Sequence, residues 1–70
     1  MKTQWLENIL AHYENDGATV QSVRDDVSDG LFEVIAGEHM SKELIENVIF
    51  FMQKKGIITG GMLDGYYTEN

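Results

Sequence analysis

Cysteine and proline are both missing from this chain. Without cysteine there is no disulfide framework, no thiolate metal site and no cysteine nucleophile, a composition that fits a reducing, cytoplasmic setting. Basic residues are scarce. Arg24 is the single arginine, beside Lys2, Lys42, Lys54 and Lys55, against twelve acidic side chains and a net charge of −7. Affinity for phosphates comes mostly from Lys and Arg, so this balance disfavours direct binding to nucleic acid. It points instead to a basic protein partner, or simply to solubility. Long hydrophobic runs are absent too. The longest, Val48 to Met52, falls far short of the ~20 apolar residues that span a bilayer, and Met1-Lys2-Thr3-Gln4-Trp5 lacks the apolar stretch of a signal peptide, so no membrane association is expected. Seventy residues make one small domain, 1–70, that buries only about 60% of its unfolded surface and gains from association.

What is present is helical periodicity with capping signals. Thr3 can cap a first helix over about 3–14, in which Trp5, Leu6, Ile9, Leu10 and Tyr13 share an arc of ~140° before Asn15-Asp16-Gly17 breaks it. In the middle, Val20, Val23, Val27, Leu31, Val34 and Ile35 fall on one helical stripe, interrupted by Ser28-Asp29-Gly30. This predicts helices over about 19–27 and 30–36, with a short strand at Ala18 to Val23 as the competing reading. The clearest element covers 41–55. Ser41 caps it, Glu43 sits in its first turn, Lys54 and Lys55 in its last, and Gly56 stands at the C′ position. There Leu44, Ile45, Val48, Ile49, Phe51 and Met52 span about 160°, while Phe50 lies among Glu43, Glu46, Asn47 and Lys54 on the face expected to be wet. Beyond Gly56, Ile57-Ile58-Thr59, a glycine-rich turn and Tyr66-Tyr67-Thr68 predict a hairpin over about 57–68.

The run Leu31-Phe32-Glu33-Val34-Ile35-Ala36-Gly37-Glu38-His39-Met40-Ser41 and the helix after it resemble a helix-turn-helix, and Asp64-Gly65-Tyr66-Tyr67-Thr68 looks like a wing. Together they are similar to winged helix-turn-helix domains over residues 31–68. The resemblance implies a mainly α fold with a small C-terminal β-hairpin, winged-helix-like. It also makes 41–55 the recognition helix, which in this family enters the major groove of DNA. Here that helix offers Lys42, Glu43, Glu46, Asn47 and Phe50. Asn47 is able to read adenine, but no arginine is available for guanine and two carboxylates face the phosphates.

Motifs for chemistry are incomplete. Gly60-x-x-x-x-Gly65 has the spacing of a phosphate loop, but Tyr66 and Tyr67 occupy the Lys and Ser/Thr positions. Asp25 to Asp29 begins like a calcium loop with Gly30 at position six, yet Val27 and Ala36 fill positions three and twelve. His12 and His39 do not have zinc-ligand spacing. Ser22, Ser28 and Ser41 lack a nucleophile-elbow context, and no apolar run surrounds Asp25-Asp26 to raise a carboxyl pKa. No enzyme activity, cofactor or metal is expected.

What remains is an acidic surface with one aromatic. Glu43, Glu46, Asn47 and Phe50, with Asp25, Asp26 and Asp29, form the expected partner-binding set, since interface anchors are aromatic and rimmed by polar groups. Phe50 has two other fates: cover by the hairpin or the first helix, or the seam of a homodimer. The expected function is a non-enzymatic protein-binding regulator or inhibitor whose carboxylates stand in for phosphates on a nucleic-acid-handling protein, a description that phage-encoded inhibitors of host defence or transcription also fit. The alternatives are a dimeric winged-helix DNA-binding regulator and a structural adaptor or assembly factor.

Overall fold

The computed structural model describes residues 3–60, and over these the chain forms four helices: α1 (Gln4–Tyr13), α2 (Val20–Ser28), α3 (Leu31–Ala36) and α4 (Lys42–Lys55). Local chemistry sets most of the boundaries. At Thr19 the side chain accepts from the Ser22 N–H at 3.1 Å, and the Ser22 hydroxyl accepts from the Thr19 N–H at 3.0 Å, a reciprocal cap that starts α2. Ser41 caps α4 by accepting from the Leu44 N–H at 3.1 Å. Gly56, left-handed at φ 81°, ends it. Thr3 precedes α1 but makes no side-chain cap; only its carbonyl accepts, from Leu6 and Glu7. The strand reading of Ala18 to Val23 is not realised, since α2 begins at Val20.

The expected C-terminal hairpin over 57–68 is overturned. Four helices and no strand make up the described residues. The first arm, Ile57-Ile58-Thr59, is a turn whose Ile58 side chain enters the core. Thr59 forms an isolated parallel bridge with Thr19: its N–H donates to the Ala18 carbonyl at 3.2 Å, and its carbonyl accepts from the Val20 N–H at 2.9 Å. A hairpin arm pairs antiparallel with the segment that follows it, whereas here both backbone groups of Thr59 are taken by the start of α2. The expected second arm, 66–68, lies outside the described residues. The fold is therefore helical over 3–60, in place of a mainly α fold with a winged-helix-like hairpin.

The core gathers Ile9 and Tyr13 from α1, Val20 and Val23 from α2, Phe32 and Ala36 from α3, and Ile45, Val48, Ile49 and Met52 from α4, with Ala18, Met40 and Ile58 from the connections. α3 packs on α1 and α2, and α2 packs on α4. The single stripe expected from Val20 to Ile35 is broken at the α2–α3 turn. Gly30 is left-handed at φ 81° there, which resets the helical phase. As a result α3 buries Phe32 and Ala36 and leaves Leu31 and Val34 outside. No described helix is long and apolar enough to cross a membrane.

Candidate functional site

α4 holds the site. Its buried stripe is narrower than the sequence arc: Ile45, Val48, Ile49 and Met52 are buried, Leu44 is half-buried, and Phe51 is 39% exposed. Phe50 is 47% exposed, on the outer face as expected. At 100° per residue the four buried side chains span about 100°; Phe51 lies about 60° beyond the Val48 edge of that stripe and Phe50 about 100° beyond its Ile49 edge, so neither ring enters it. That spacing was the signal for Phe51, which the width of the apolar arc obscured.

Beside Phe51 the first turns of α1 leave a shallow groove of about 150 Å³, lined by Trp5, Leu6, Asn47, Val48 and Phe51. Lys54 and Lys55 fold back along α4 so that each ammonium stands 5.8 Å from a ring centroid, Lys54 over Phe50 and Lys55 over Phe51. Exposed contacts of this kind contribute about 0.5–1 kcal/mol, and they hold both rings along the helix. The face thus reads, from its N-terminal end, as carboxylate, amide, aromatic pair and ammonium.

The expected acidic set does not converge on it. Glu43 and Asn47 are exposed on the α4 face with Phe50. Glu46 lies at its edge and is held in a two-pronged ion pair with Arg24 of α2, at 2.7 and 3.0 Å. The Arg24 hydrogen bonds pull the Glu46 carboxyl below its ordinary pKa, and the same contact raises that of Arg24. Asp25 accepts from the Gln21 amide at 3.0 Å and is exposed. Asp26 turns the other way and accepts from the buried Tyr13 hydroxyl at 2.7 Å. Asp29 is the exposed C-cap of α2. Two of the seven residues therefore have structural partners that sequence spacing could not reveal, because Arg24 and Glu46 are 22 positions apart and Tyr13 and Asp26 are 13.

A second exposed apolar pair sits on α3, with Val34 at 73% and Leu31 at 40%. It lacks aromatics and belongs to a six-residue helix. Among the described residues, no cluster of three or more His, Cys, Asp and Glu side chains is arranged to hold a metal ion. His39 instead lies 3.0 Å from Glu33, whose carboxylate also accepts from the Met40 N–H and so ties down the α3–α4 turn. No protein family matches the chain significantly, and neither a curated protein nor a solved structure does.

Proposed function

We propose that this chain is a small protein-binding regulator or inhibitor that engages a basic protein surface through the outer face of α4. The exposed pair Phe50 and Phe51, beside the groove against α1, is the observation that carries this reading. Aromatic anchors next to a pocket and ringed by polar groups are the usual centre of a protein interface. The groove volume suits one apolar side chain of a partner.

Charge supports a basic partner. Asp25 and Asp29 lie in the last turn and at the C-cap of α2, where the helix dipole disfavours carboxylates, an effect the Gln21 amide offsets at Asp25. With Glu43 and the net charge of −7, they favour a surface of Lys and Arg around the residue that fills the groove. Proteins that handle nucleic acids carry such surfaces for phosphates, and carboxylates here would take the phosphates' place. A cytoplasmic, phage-type inhibitor fits this description.

The test is affinity capture with the tagged chain from lysate of its own host cells. A basic protein should be retained at low salt, released near about 0.5 M salt, where screening acts beyond about 4–5 Å, and lost with Phe51→Ser in a chain that remains folded. Retention that survives both the salt and Phe51→Ser contradicts the proposal, as does the absence of any specific partner.

A further inference from the structure

We infer that α4 also pairs antiparallel with α4 of a second copy of this chain, with Glu43 of each copy against Lys54 of the other. This rests on reading α4 as an interaction face and assigns one occupant to its central strip. Glu43, Asn47, Phe50 and Lys54 follow one another at spacings of four, three and four residues. At 100° per residue they lie within about 60° of arc, the seam geometry of paired helices. That spacing reads the same in both directions. Turning a second α4 about a two-fold axis between Val48 and Ile49 sets Glu43 opposite Lys54, Asn47 opposite Phe50, and repeats both contacts on the other side of the axis. The isologous contact is thereby self-complementary in charge.

The parallel alternative fails on the same residues, because it would place Glu43 on Glu43 and Lys54 on Lys54. Among the described residues neither Glu43 nor Lys54 has an ion-pair partner within its own chain. Glu46 is held by Arg24 at the edge of the strip, and Asp25 and Asp29 on α2 stay outside the seam. The dimer therefore leaves Asp25 and Asp29 of both copies exposed, while Glu43 and Phe50 enter the seam. A helix of 14 residues is about 21 Å long, so the contact belongs to the small, transient class below about 1,200 Å².

Sedimentation equilibrium on the full chain, from about 10 μM to about 1 mM, tests this pairing. Wild type should rise with concentration from 7.9 kDa towards about twice that mass. Glu43→Lys alone and Lys54→Glu alone place like charges at both contacts and should each weaken the dimer about tenfold or more. An equimolar mixture of these two variants should recover wild-type association, because the heterodimer has opposite charges at both contacts. The mixture decides the matter without depending on how the doubly exchanged chain folds. Wild type that stays monomeric throughout, or a mixture no stronger than the separate variants, overturns the pairing. So does a mixture stronger than wild type when each variant alone equals wild type, the result a parallel pair gives. Capture of a basic protein and its loss with Phe51→Ser are read separately, so either proposal can fail without the other.

Discussion

The Tyr13 hydroxyl donates to an Asp26 carboxylate oxygen at 2.7 Å, joining α1 to α2 from a side chain only 1% exposed. The Tyr13 ring also stacks on Phe32 at 6.3 Å between centroids, so one residue holds three helices together. Burial, then the hydrogen bond and the charge of Asp26, push its pKa well above the ordinary value of 10.0. Tyr13→Phe keeps the ring and leaves Asp26 without this donor, which should cost about 1–3 kcal/mol in urea unfolding.

The same shift sets an alkaline limit. Above about pH 10 the unfolded chain loses the Tyr13 proton while the folded chain keeps it, so the unfolded state binds fewer protons. This contribution is full below pH 10 and falls by about 1.4 kcal/mol per pH unit above it, until the folded hydroxyl itself ionises. Unfolding curves from pH 8 to 11.5 should show that slope in wild type and a shallower one in Tyr13→Phe.

Arg24 and Glu46 form the two-pronged contact between α2 and α4, but their side chains are close to half exposed. Solvent screening limits the pair to about 0.5–1 kcal/mol. Because the folded Glu46 pKa lies below its ordinary value, the contribution is present above pH 4.5 and disappears as pH falls through the lowered value. Glu46→Gln should be slightly less stable than wild type at pH 7, and the difference should shrink as pH falls below 4.5.

The helix caps differ in a measurable way. Ser41→Ala removes the bond to the Leu44 N–H and should cost about 1 kcal/mol, with Thr19→Ala similar. Thr3→Ala should change thermal stability by only a few tenths of that, since the Thr3 side chain makes no cap bond.

Helix starts and stops were legible because they are local: Ser41, Thr19, Gly30 and Gly56 each act within one turn. The β character of Ile57-Ile58-Thr59 was also local, yet Ile58 is drawn into the core and Thr59 pairs with a segment 40 residues earlier. No short-range pattern encodes that. The α3 phase was lost for a related reason, since a continuous stripe hides the reset at Gly30 and made Val34 look inward. At the site, the outward position of Phe50 was readable from spacing alone. The groove beside Phe51 was not, because it exists only where α1 meets α4.

Phe50 and Ile49 are neighbours with opposite roles. Ile49→Ala should cost about 2–5 kcal/mol, as a buried aliphatic truncation does. Phe50→Ser should cost about 1 kcal/mol or less, the contact with Lys54, because the ring is not part of the core. A large loss of stability with Phe50→Ser would place the ring in the fold instead of on its surface.

Site-specific photocrosslinking in the cells that make this protein tests most directly whether the outer face of α4 is where it meets its partners. A photoreactive phenylalanine analogue at Asn47 or Phe50 should give protein adducts, while the same probe at Val34, the more exposed apolar position on α3, should give few or none. Adducts from Val34 with none from Asn47 or Phe50 would contradict the account and move the interaction face to α3.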